Sequence, residues 1–198
     1  MARPIAKDYD AKRAHILTTA AKVFADTGFA RTSMSQVAKD CGISKANIYH
    51  YYDSKDGLLF DILDTYLRAL RDRIHGLQLD GLTPAEQLKS IVMETLHAYE
   101  GMDAEHKIQM EGIPLLNSDQ QAVLKGYQRD LVTQLSSVIA ATAPDVFDGD
   151  TAKLRSTVMS VFGMLNWFYM WNSGADEPAR AAYADLVTQL TLGGVGSL

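Results

Sequence analysis

The stretch SMSQVAKDCGISKANIYHYYDSKDGLL, Ser33 to Leu59, decides the fold. Ser33 stands three residues before Gln36, the spacing of a capping box. Met34, Val37, Ala38 and Cys41 then form a short apolar stripe at helical spacing, and Gly42 ends it. Ser44 is placed to cap a second helix, on which Ile48 and Tyr52 lie four apart and face inward together. Ser54 is placed to cap the helix that follows.

Two short capped helices joined through Cys41-Gly42-Ile43-Ser44 form a helix-turn-helix pattern. Such a unit puts its second helix into the DNA major groove, with the N-terminal residues at the base edges. With Ile48 and Tyr52 inward, Lys45, Ala46, Asn47, Tyr49, His50 and Tyr51 remain outside. Lysine pairs with guanine O6 and N7, asparagine with adenine N6 and N7, and alanine is small enough to meet a thymine methyl. Ser33, Tyr49, Tyr51 and Lys55 offer hydroxyl and ammonium groups suited to phosphate. His50 reads either as solvated or as a phosphate contact. Capped helices separated by glycine also occur in proteins that bind no nucleic acid, so the bare pattern leaves both readings open.

Outward from this stretch the chain reads as helical. Ile16, Leu17, Ala20, Ala21 and Phe24 recur at helical spacing, with Asp10 the expected N-cap and Gly28 the stop. Leu59, Ile62, Leu63, Tyr66, Leu67, Leu70 and Ile74 sustain an i, i+3, i+4 stripe. Pro84, Pro114, Pro144 and Pro178 fall between periodic segments, which predicts helices near 84–101, 103–112, 117–141, 150–173 and 178–192. The Gly193–Leu198 tail is expected to fray. No window alternates like a strand, so the fold class is all-α. The expected division is a helix-turn-helix domain over 1–56 and a ligand-binding and dimerisation domain over 57–198.

Composition narrows the class. Of 198 residues 47% are hydrophobic and 22% charged, which is globular usage and excludes a disordered or collagen-like chain. One cysteine excludes a disulfide framework and a cysteine-based zinc site, and fits a reducing compartment. Met1–Arg13 contains no apolar core of a leader, and the longest apolar run, Val161–Trp171, falls well short of the ~20 residues that span a bilayer. These features predict a cytoplasmic protein with no membrane partner. The net charge of −5 argues against nucleic acid until it is divided. Residues 1–56 carry nine Lys/Arg against six Asp, or +3, and the remainder carries −8. A basic segment on an acidic body is the pattern of a localised interaction surface.

Thr32-Ser33-Met34, Val37-Ala38, Cys41 through Lys45, Ile48-Tyr49, Tyr52, Ser54-Lys55 and Leu58-Leu59 together resemble the N-terminal signature of TetR-family transcriptional regulators. The resemblance covers about Asp10 to Leu63. It implies a three-helix DNA-binding domain, a helical body that binds ligand and dimerises, and a homodimer on a palindromic double-stranded operator. Carried over by position, the DNA contacts fall on Ser33, Ser35, Lys45, Ala46, Asn47, Tyr49, His50, Tyr51 and Lys55. Many members have His-Phe where Tyr51-Tyr52 stands; tyrosine still donates a hydrogen bond to phosphate.

The resemblance further implies that the last two long helices pair with their twins. Val158, Phe162, Leu165 and Tyr169 form one candidate interface stripe, and Leu186, Val187 and Leu190 the other. The first stripe reads equally as intramolecular core. The segment Gly163–Trp171 is similar to the C-terminal domain of a TetR subgroup that governs fatty-acid, steroid-ring and phenylacetate degradation and responds to acyl-CoA thioesters. That likeness implies a repressor of a catabolic operon released by phenylacetyl-CoA or a fatty acyl-CoA. Candidate ligand residues are Lys125, Arg129 and Arg155 for the phosphates, with Lys153 beside them, and Asn166, Trp167 and Met170 for the rest. The cations read equally as solvated helix faces, and the aromatic run as core. Asn166 sits amid apolar residues and needs a partner if buried.

Other readings stay open. One is a regulator of an efflux or stress operon that answers a free lipophilic molecule. Another is a small helical acyl-binding enzyme, although no G-x-S-x-G elbow, P-loop or G-x-G-x-x-G is present and Cys41 lies on an apolar stripe. His97, Glu105, His106 and Glu111 contain no H-E-x-x-H arrangement, so no metal and no cofactor is assigned.

Overall fold

The computed structural model describes residues 3–172 and 174–196. The order is α1 (Arg3–Thr27), α2 (Met34–Asp40), α3 (Lys45–Tyr51), α4 (Lys55–His75), α5 (Pro84–Ala98), α6 (Asp103–Gly112), a 3₁₀ turn (Ile113–Leu115), α7 (Ser118–Thr142), α8 (Pro144–Phe147), α9 (Thr151–Trp171) and α10 (Glu177–Val195). No strand occurs among the described residues, as the absence of alternating windows predicts. No helix is long and apolar enough to cross a membrane, among the described residues.

The chain divides into two compact units. The first runs through Leu67 and takes in Ala104–Leu124; the second holds Arg68–Asp103 and everything from Lys125. Each unit is built around its own core. In the first unit Ile16, Ala20, Ala21 and Phe24 of α1, Val37 and Ala38 of α2, Ile48 of α3 and Leu58, Leu59 and Leu63 of α4 are all at most 2% exposed. Each large side chain among them contributes roughly 1.5–3 kcal/mol by leaving water. α6 joins this core because it ends in Gly112, where a Cβ would stand 3.3 Å from Leu59. The buried Tyr66 hydroxyl and His106 Nδ1 lie 3.0 Å apart, satisfying each other.

Turn chemistry sets the helix-turn-helix. Gly42 has φ +67°, left-handed backbone that favours glycine. Its N–H donates to Lys39 O at 3.0 Å and Ile43 N–H donates to Ala38 O at 2.9 Å, a Schellman closure of α2. Gly28, at φ +91°, closes α1 with its N–H on Phe24 O, where the sequence predicts the stop. The start of α1 differs from expectation: it is Arg3, not a cap at Asp10. Its first two turns carry no apolar stripe, so periodicity could not reveal them.

The second unit packs Leu88, Val92 and Leu96 of α5 with Leu135 and Ile139 of α7, Val158, Val161 and Leu165 of α9, and Ala184 and Val187 of α10. α5 opens with a full capping box: the Thr83 side chain accepts from Glu86 N–H, and the Glu86 carboxylate accepts from Thr83 N–H at 2.8 Å. Glu86 is held below its ordinary pKa by the Thr83 hydroxyl and then by that N–H. Arg180 is 4% exposed; its Nε donates to Ala175 O at 3.1 Å and its Nη1 to Leu96 O at 3.0 Å. The guanidinium thereby satisfies a carbonyl in the last turn of α5 and meets the negative end of that helix. Gly193 and Gly194 are helical and Val195 is 3% exposed, so α10 continues past the point where fraying was expected. The last two residues of that tail lie outside the described residues.

Candidate nucleic-acid interface

α2 and α3 are seven residues each, too short to hold their shape alone, and depend on caps and burial. Ser33 Oγ accepts the Gln36 N–H at 3.2 Å and Ser44 Oγ accepts the Asn47 N–H at 3.1 Å. Only half of the expected capping box forms at α2, because the Gln36 amide donates to Asp40 at 2.8 Å instead. Ser54 Oγ accepts the Gly57 N–H at 3.0 Å, capping α4. α3 is pinned by Ile48, fully buried, and by Tyr52, its buried C-cap residue. Burial and then Asp61 push the Tyr52 hydroxyl well above its ordinary pKa, so it stays a donor, and it donates to Asp61 at 2.6 Å.

With that side inward, the predicted reading surface is outward. Lys45, Ala46, Asn47, Tyr49 and His50 are exposed and Tyr51 is half-buried. Ser33, the N-cap of α2, and Ser35, in its first turn, are exposed too. Among the predicted contacts, Lys55 has a further task in the fold, as Ser33 does in capping α2. Its ammonium donates to Phe29 O at 2.7 Å and Thr32 O at 2.8 Å and lies 4.3 Å from the Phe29 ring centre. Lys55 therefore ties down the loop between α1 and α2, with two of its three donors occupied. Sequence reading missed Tyr9, Arg13 and Asp61, which surround the end of α3; their partners are too far along the chain for any local pattern to reveal. Cys41 is buried and its thiol is pushed up by burial, the state of an inert core residue and not of a nucleophile.

In the second unit the candidate interface and ligand residues differ widely in burial. Val158, Leu165 and Val187 are at most 1% exposed and belong to the protomer core, so they are not available to a second copy. The apolar pattern marked the inward side of α9. Phe162 and Tyr169 are half-buried, while Leu186 and Leu190 are exposed. Trp167 is 60% exposed and Met170 53%, so both are largely open to solvent in the protomer. Lys125, Arg129 and Arg155 are exposed, and Arg155 and Trp167 stand about 18 Å apart along α9. Asn166 is half-buried and accepts the Tyr99 hydroxyl at 2.7 Å, which supplies the partner its setting requires.

Helix-turn-helix and helical body together define a class. The family description "Bacterial regulatory proteins, tetR family" matches residues 16–62, and "Tetracyclin repressor-like, C-terminal domain" matches 81–195. The chain belongs to the TetR family of regulators, which are DNA-binding proteins and not enzymes. A TetR-family transcriptional regulator from Bordetella parapertussis 12822 superposes with a TM-score of 0.85 at 30% identity, covering 94% of this chain and 96% of that one. The HTH-type transcriptional repressor KstR2 of Rhodococcus jostii is 31% identical over 54% of this chain and 52% of its own length. AibR, solved in complex with isovaleryl coenzyme A and operator DNA, shares the fold at a TM-score of 0.74 and 23% identity, over 90% of this chain and 97% of that one. The curated relatives are matched over about half of their length or less.

Proposed function

We propose that the protein is a homodimeric repressor that holds a palindromic operator through α3 and releases it when a CoA thioester binds the C-terminal body. The observation that carries this reading is the outward row Lys45, Ala46, Asn47, Tyr49 and His50 on a helix whose opposite side is locked by Ile48 and Tyr52. Lys45, Ala46 and Asn47 read base edges, and the hydroxyls of Ser33, Ser35, Tyr49 and Tyr51 meet phosphate. Two such helices in a dimer reach successive major-groove faces about 34–36 Å apart.

Dimerisation is supported by the faces of α9 and α10 that the protomer leaves uncovered. Met159, Trp167, Met170 and Trp171 on α9 and Leu186 and Leu190 on α10 are each about half exposed or more. An apolar strip of this kind marks an interaction surface. A Cβ at Gly163 or Gly193 would meet nothing within 4 Å, so protomer packing does not require either glycine. A helical glycine costs about 1 kcal/mol relative to alanine, and a second copy approaching closely supplies the reason to keep it.

The CoA class is supported by AibR, whose structure holds isovaleryl coenzyme A together with operator DNA. A ligand that binds better to a dimer with another spacing of its reading helices weakens DNA binding by its differential affinity. Reciprocity makes the operator weaken the ligand by the same factor. The test is duplex DNA, selected from a random pool by the full-length protein, titrated at stepped salt and then with isovaleryl-CoA, phenylacetyl-CoA, palmitoyl-CoA and the matching free acids. The expected result is steep salt dependence and release by a thioester but not by its acid. Release by the free acid alone replaces the CoA class with a free lipophilic effector. A thioester that binds and leaves duplex affinity unchanged refutes the release scheme.

A further inference from the structure

The first turns of α1 reach the end of α3. Tyr9 stacks on Tyr51 with ring centroids 4.9 Å apart and planes 23° from parallel. Four residues on, and so on the same side of α1, Arg13 grips Asp61 through Nη2 and through Nε at 3.1 Å. Asp61 in turn accepts the Tyr52 hydroxyl at 2.6 Å. The two consecutive residues that end α3 thus each answer to a different residue of α1, one by ring stacking and one through a shared carboxylate.

Core packing does not account for Tyr9. Tyr9 is 44% exposed, and the apolar stripe of α1 begins only at Ile16. What the ring does is restrict Tyr51, which also has His50 edge-on at 5.7 Å. A tyrosine held this way loses less rotamer freedom when its hydroxyl meets a phosphate. Arg13, Asp61 and Tyr52 fix the backbone beneath it from the buried side.

We propose that Tyr9 and Arg13 are positioning residues for DNA binding, holding the C-terminal end of α3 so that Tyr51 is presented to the phosphate backbone. The inference rests on the DNA-binding reading of α3 and extends the binding machinery onto α1. Neither residue needs to touch DNA.

A double-mutant cycle tests it on the selected duplex, with Tyr9→Ala, Tyr51→Ala and the pair together, all in the full chain. Tyr9→Ala is expected to weaken binding about two- to tenfold, the worth of an aromatic pair. In the Tyr51→Ala background it is expected to change nothing further, because the ring it positions is gone. Tyr9→Phe keeps the stack and restores wild-type affinity. Tyr52→Phe, which keeps the buried ring and removes the link to Asp61, is expected to weaken binding without unfolding the chain. Additive losses in the cycle, or wild-type binding by Tyr9→Ala, would overturn the proposal. A wild-type protein with no salt-dependent affinity for any duplex overturns it together with the DNA reading, so the two failures are told apart.

Discussion

Helix α3 buries Ile48 and shows solvent a lysine, an asparagine and exposed rings with polar tips. Helix α9 buries Val158, Val161, Leu165 and Phe168 and still shows solvent Met159, Trp167, Met170 and Trp171. Both are two-sided, but only α3 is amphipathic. Its outer face is content in water until a polyanion offers better partners, whereas the outer face of α9 is costly in water until another apolar surface covers it. On the proposed reading, one face takes a reversible, salt-sensitive partner and the other a standing one.

The largest effect expected from this contrast lies on α9. Trp167→Glu puts a charge into the proposed interface twice, once per copy. At roughly 2 kcal/mol or more per interface hot spot, the dimer dissociation constant should rise about a thousandfold. Sedimentation equilibrium reads this directly, and an unchanged dimer would break the assignment of the α9 face. Ile48→Ala removes the anchor of α3 and should cost roughly 2–5 kcal/mol of stability in urea unfolding, with dimerisation kept in the folded fraction. A loss below 1 kcal/mol would mean that α3 is held by something other than its buried side.

Lys45→Ala tests the opposite face of α3. It should reduce discrimination between operator and random duplex by about 1–3 kcal/mol, more than Tyr51→Phe does. Equal losses on both duplexes would remove Lys45 from base reading and leave it a phosphate contact. The smallest effect is expected at the cap. Ser44→Ala should lower stability by about 1 kcal/mol and speed amide exchange within α3. Exchange that rises equally in α9 would show that the two helices are less independent than the contrast requires.

The same contrast explains what could be read in the chain beforehand. α3 was legible because every signal on it agrees: Ser44 caps, Ile48 and Tyr52 share a side, and the rest is polar. α9 was not, because apolar residues occupy both of its sides and periodicity alone does not say which one meets the core. The sequence therefore leaves Val158 and Leu165 open between a second copy and the core, and Trp167 and Met170 open between a ligand and the core; the first pair is buried and the second exposed. The start of α1 lacked apolar periodicity, and Lys55 carries an ordinary surface residue type; its duties to Phe29 and Thr32 are set by tertiary structure. The rings at the end of α3 were visible as phosphate donors, but not the residues that hold them.

Arg180 has a consequence for how the body moves. Its guanidinium joins the last turn of α5 to the start of α10 through two hydrogen bonds to backbone carbonyls. α5 and α10 should accordingly open as a single cooperative block in native-state hydrogen exchange, with the amides of both helices sharing one opening free energy. Any rearrangement of the body must then carry the pair as a rigid unit and find its freedom in the other helices.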